Sequence, residues 1–216
     1  MASFTQFVSR LFGTEEAIAD TERLAHFMDS RSAFLAQKCV VEFCRVRSWV
    51  HWEKLFGEPE FQERLTRARW RSYVPAFAIV TEMVEGALRP AAGSSSPALT
   101  DALVDLSRSV FSRYEVPRGE RSSFWEEAVE LVQTRLHFVQ GAPPRPVRQI
   151  PEPLARAIYD ALPLNREMIA DDYDYIFNNL RMNALRIHDD FLNLVEPGRL
   201  LPDLLQKHGP DGPLAQ

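Results

Sequence analysis

Hydrophobic positions along this chain recur at alternating short intervals almost from end to end, the spacing that gathers side chains on one face of an α-helix. Phe4, Phe7, Val8, Leu11 and Phe12 begin the pattern and predict a short amphipathic helix that Gly13 closes. Thr14 with Glu15 and Glu16 gives a capped, dipole-compatible start to a second helical stretch running towards Phe56, with a break expected near Ser30 to Ser32. Inside it, Leu35, Cys39, Val40, Val41, Phe43, Val46 and Val50 cover much more than one stripe. The helix between Phe34 and Trp52 is therefore expected at the centre of the body.

Gly57, Glu58 and Pro59 predict a turn and a new helix, whose apolar positions run through Phe61, Leu65, Ala68, Phe77, Val80 and Val84. Pro75 is expected to kink or break it. A small-residue loop over Ala91 to Ser96 precedes a helix from Pro97 carrying Leu99, Leu103, Leu106 and Val110. After a loop from Glu115 to Ser122, Ser123 and Glu126 have the capping-box spacing and open a helix through Val129, Val132 and Leu136 to Gly141.

The segment Gly141 to Pro153, GAPPRPVRQIPEP, favours extended polyproline conformation and is read as a linker. A short helix with Leu154, Ile158 and Leu162 follows. A long one then holds Ile169, Tyr173, Ile176, Leu180, Ala184, Ile187 and Phe191 on one face until Pro197 and Gly198 stop it. A last short helix is expected over Pro202 to Lys207. No internal repeat and no convincing strand alternation appear. The fold class is all-α, an irregular multi-helix bundle of about seven helices. Residues 1–140 form the main bundle, 141–153 the linker, and 154–216 a set of C-terminal helices packing on the same body as one domain.

At 216 residues the chain is long enough to bury a core without staples, and 45% hydrophobic with 25% charged residues is a globular composition. A net charge of -5 argues against a dedicated nucleic-acid binder, whose phosphate contacts demand a basic domain. Cys39 and Cys44 lie too far round a helix to bridge, and two unpaired thiols fit a reducing compartment. With neither a secretory leader nor a long apolar span, the expected location is the cytoplasm. Lysine occurs only at Lys38, Lys54 and Lys207 against many arginines, a bias that suggests a GC-rich bacterial source.

Candidate chemistry starts with an Arg/Trp-rich stretch. CRVRSWVHWEK supplies Arg45, Arg47, Trp49, His51, Trp52 and Lys54, and TRARWRSY adds Arg67, Arg69, Trp70, Arg71 and Tyr73 on the neighbouring helix. Arg and Trp are the residues most enriched at binding hot spots, so Arg45, Arg47, Trp49, Trp52, Arg67, Trp70 and Arg71 are the expected partner-binding set. Against this, Lys38 with Glu42, Glu60 with Arg64 and Glu63 with Arg67 have the spacing of ordinary surface ion pairs.

The acidic run Asp171, Asp172 and Asp174 is only loosely like the DDxxD of helical prenyl-transferring enzymes, in which the third aspartate falls one position later. No second acidic motif stands at the matching place, and carboxylates early in a helix ordinarily complement its dipole in water. On the same helix Asn179, Asn183, Arg186 and Asp190 recur on a polar face beside Asn178, Arg181 and His188. Such a face suits a neighbouring helix or subunit. The five histidines form no His-x-x-x-His or Glu-x-x-His pair, and no Gly-x-Ser-x-Gly, phosphate loop or Cys-x-x-Cys is present. No metal, cofactor or catalytic residue is expected.

The leading expectation is a non-enzymatic cytoplasmic interaction protein, such as an adaptor, assembly factor or regulatory subunit, whose partner is another protein and which could also self-associate. An alternative is a helical enzyme or small-ligand binder with a pocket between helices using Asp171, Asp172, Asp174 and arginines. A third is peripheral membrane association through Phe4, Phe7, Leu11 and Phe12, weakened by the presence of Arg10 as the one cation of that helix.

Overall fold

A computed structural model describes residues 16–208, and the N-terminal Phe stripe with its Gly13 stop and Thr14 start lies outside them. The described residues form α-helices α1 (Thr21–Ala36), α2 (Phe43–Arg47), α3 (Trp52–Gly57), α4 (Pro59–Ala92), α5 (Ser96–Phe111), α6 (Phe124–Gln140), α7 (Glu152–Asp160), α8 (Tyr173–Leu194) and α9 (Pro197–His208). Seven of these have nine residues or more, as an all-α bundle of about seven helices requires. The one β-type pairing among the described residues is an isolated bridge in which Ile18 N–H donates to Leu194 O at 2.8 Å and Glu196 N–H to Ile18 O at 3.0 Å.

The central element is α4, which packs against α1, α5, α6, α7, α8 and α9. From Pro75 to Glu85 every residue of it is buried, so this helix, and not the one between Phe34 and Trp52, is surrounded on all sides. The expected break at Pro75 does not occur: α4 runs through Pro75 and Pro90 for 34 residues. Pro75 has no N–H to give the carbonyl one turn earlier, a loss that costs about 3 kcal/mol in an isolated helix. Packing round that segment offsets it.

The wide apolar arc that suggested a central helix has another cause. Gln37–Glu42 is a π-helical insertion between α1 and α2, and the wider turn rotates later residues relative to an α-helical count. Cys39, Val40, Phe43 and Cys44 are thereby all buried, whereas Val46 is 61% exposed. Both thiols are free, and burial pushes each up to about 12, which leaves them inert packing groups. No break occurs at Ser30 to Ser32, because the buried hydroxyls donate to Phe27 O and Met28 O and leave the helix intact. Asp20 caps α1, accepting from Arg23 N–H at 2.9 Å.

Ser123 precedes α6 as expected, but its hydroxyl donates to Glu127 Oε1 at 2.7 Å and makes no bond to a helix N–H. The small-residue loop after α4 is a single tight turn, Gly93–Ser95, with Gly93 at φ 54. Pro197 opens α9 where a stop was expected; the long helix α8 ends at Leu194 before it. The Pro-rich segment is a strap bound to the body, containing a 3-10 turn at Val147–Gln149. Arg145 Nε donates to Glu82 Oε1 at 3.0 Å, Arg89 Nη1 to Ala142 O at 2.7 Å and Arg135 Nη2 to Ile150 O at 2.6 Å.

Candidate functional site: an exposed face on α8 and the end of α2

The Arg/Trp-rich stretch divides in the fold. In its first half the Arg45 guanidinium lies 4.8 Å from the centre of the half-buried Trp52 ring, and Trp52 meets Phe56 edge-on. Arg47 pairs through Nε with Asp172 Oδ2 at 2.7 Å and donates Nη2 to Met168 O at 2.6 Å, tying the end of α2 to the approach of α8. Trp49 is 76% exposed and sits at φ 46, a left-handed conformation that is strained for a bulky side chain. A surface aromatic held in that conformation gains no core contact to offset the strain.

The second half turns inward. Trp70 is half-buried among Tyr73, Tyr114 and Trp125, with ring centroids 5.3 to 5.8 Å apart. Beneath these rings Asp29, itself buried, accepts from Tyr73 Oη at 2.6 Å and from Tyr114 Oη at 2.7 Å. Burial, reinforced by the Asp29 charge, holds both phenols above their ordinary range. Arg71 reaches Glu120 at 2.8 Å and Arg67 approaches the same carboxylate at 3.9 Å. Gly119 sits at φ 85, a left-handed conformation that strains any residue with a Cβ, and the end of the Arg67 side chain packs close over it.

The acidic run is dispersed. Asp172 faces Arg47, while Asp171 and Asp174 are exposed. Among the described residues no group of three or more His, Cys, Asp or Glu side chains is arranged to hold a metal ion. Of the Asn face of α8, Asn179 and Asn183 turn inward while Asn178 and Arg186 are exposed: Asn183 is buried and donates to Asn179 O and Oδ1, and Cys39 Sγ, on the π-helical insertion, lies 3.8 Å from Asn179 Oδ1.

The opposite side of α8 was missed. Ile176, Leu180, Ala184, Ile187 and Phe191 are buried, and across the helix from them Tyr175, Met182, Leu185 and Leu192 are 50%, 59%, 43% and 50% exposed. With Asn178 and Asp189 these positions alternate by three and four residues, a heptad seam repeated along a helix about 33 Å long. That spacing was visible in the sequence, but the stronger core stripe on the same helix masked it. Phe43 meets Tyr175 at 5.7 Å, and Val46, one turn along α2 from Phe43, is exposed, as is Trp49 beyond the helix end.

Among the described residues no helix is long and apolar enough to cross a membrane. Comparison with family models, with curated proteins and with solved structures finds no match for this chain.

Proposed function

We propose that this protein is a non-enzymatic interaction module that docks an amphipathic helix of another protein along the outer face of α8. The observation that carries the reading is the heptad seam of Tyr175, Met182, Leu185 and Leu192, exposed on the side of the helix away from the core. Exposed apolar side chains recurring on one helix face mark docking surfaces, and a seam of period 3.5, here interrupted by Asn178 and Asp189, fits a partner helix crossing at a shallow angle. Arg181 and Arg186 flank the middle of the seam, so the partner helix carries carboxylates beside its apolar residues. Trp49 and Val46, exposed at and beyond the end of α2, are assigned to the same docking surface. Of the sequence-derived binding set, this reading draws on Arg45, Arg47, Trp49 and Trp52, and does not call on Arg67, Trp70 and Arg71.

A photo-crosslinking residue at Met182 tests it in the source cells. The expected result is one dominant protein adduct, removed by Leu185→Glu together with Leu192→Glu, with a melting temperature close to that of the parent. A crosslinker at Arg67 serves as the control and yields no such adduct. An adduct to a second copy of this chain would replace the foreign helix by self-association. Absence of any adduct at Met182 would refute the reading.

A further inference from the structure

Two carboxylates one turn apart on the central helix, Glu82 and Glu85, are 3% and 0% exposed. Burying charge at this depth costs several kcal/mol per ion unless it is paired and hydrogen-bonded, and both are. Glu85 accepts from Arg89 Nε at 2.7 Å and Nη2 at 2.6 Å; Glu82 takes Arg145 on one side and Arg135 on the other. The group therefore holds three guanidinium cations against two carboxylates, an excess of one positive charge. Burial acts on both members of the central pair, raising the Glu82 carboxyl and lowering the Arg135 guanidinium, while their mutual attraction opposes both shifts.

Beside this network lies a cavity of about 250 Å³ under the Pro-rich strap. Its lining includes the charged and polar side chains of Glu82, Glu85, Arg89, Arg145 and His188. Val139, Val147 and Ile150 are among its apolar residues. It exceeds the ~150 Å³ that encloses a benzene ring and falls short of the ~300 Å³ at which drug-sized sites begin. Arg145 is the most open of the three guanidinia, at 28% side-chain exposure, and its bonds to Glu82 employ Nε and Nη2. Its planar fork has a further N–H edge at Nη1.

We propose that this cavity binds a small monocarboxylate with a compact apolar body, its carboxylate against Arg145 and its hydrocarbon among Val139, Val147 and Ile150. Arg145 and Arg135 share the single Glu82 carboxylate, so the Arg145 guanidinium at the cavity is only partly matched and one further carboxylate completes it, while the lining supplies both charged and apolar side chains for such an acid. A dianion would leave charge unpaired, and a cation would meet the surplus arginine. This site is independent of the α8 face and uses none of its residues.

Benzoate and hexanoate serve as probes on the full-length chain, with benzyl alcohol and benzylamine as neutral and cationic controls. Titration calorimetry and thermal melting are the readouts. Either acid is expected to bind with one-to-one stoichiometry and to raise the melting temperature by about 2–4 °C at saturation, with no response to the controls. Arg145→Gln is expected to weaken binding about tenfold or more, as loss of a charge-assisted bond does. Val147→Trp fills the cavity without touching a charge, and is expected to abolish binding even if the Arg145 variant folds poorly. Failure of both acids to bind, equal binding of benzyl alcohol, or binding that survives Val147→Trp would overturn the proposal.

Discussion

The two halves of the Arg/Trp-rich stretch have similar composition and opposite surroundings. Trp70 lies within α4, where Tyr73, Tyr114 and Trp125 close over it and Arg71 is held by Glu120. Trp49 follows the end of α2, three-quarters exposed at a positive φ, with Arg47 beside it reaching across to Met168. An indole on an element enclosed by helices becomes core, and one at the end of a peripheral helix remains surface. Residue type alone carries no information on which of these applies.

The sharpest contrast is in stability. Trp70→Ala opens a hole in a cluster of four aromatic rings and is expected to cost about 3 kcal/mol, the low end for a large aromatic because the ring is only half-buried. Trp49→Ala removes no core contact and is expected to change stability by less than about 0.5 kcal/mol. Chemical denaturation of the two variants checks this, and equal losses would erase the distinction between the halves.

The aromatic cluster also predicts an alkaline limit. Tyr73 and Tyr114 have phenols raised above the ordinary value of 10.0, first by burial and then by Asp29. In the unfolded chain they ionise near that value, so their contribution to stability is fully present below about pH 10 and is lost as pH rises towards the folded-state values. Denaturation midpoints are expected to fall steadily above that pH. Tyr114→Phe is expected to flatten the slope, and an unchanged slope would mean that the phenols do not govern it.

The smallest effect separates structural from docking arginines. Arg67→Glu with Arg71→Glu places three carboxylates together at Glu120 and is expected to cost about 1 kcal/mol, since partly exposed pairs are weak. The crosslink yield at Met182 is expected to remain unchanged in that variant. A loss of the crosslink with unaltered stability would instead return the second half of the stretch to the docking surface.

Much of the architecture was legible in the sequence because helical periodicity belongs to a single segment. Core stripes on α5, α6 and α8 fall at the expected residues, and the start of α6 at Phe124 follows Ser123. The exceptions occur where packing overrode a local preference. Pro75 is accommodated in mid-helix, and the π-helical insertion at Gln37–Glu42 changes the period on which the count of faces rested.

The candidate site was less legible. Its components were present as Tyr175, Met182, Leu185 and Leu192, yet α8 is apolar on two sides and only the arrangement of neighbouring helices selects the buried one. The same holds for Asn179 and Asn183, which resemble surface residues until Cys39 is brought against them.

By itself the sequence determined an all-helical chain, the approximate ends of its helices and the residues able to form a core, because propensity, capping and periodicity act over a few neighbouring positions. Only the tertiary structure decided that α4 is central, that Trp70 is enclosed and Trp49 left outside, and that Arg145 meets Glu82 across 63 residues of sequence. Those outcomes depend on how helices cross, and a crossing is fixed by the shapes of two surfaces together, a property that neither segment carries alone.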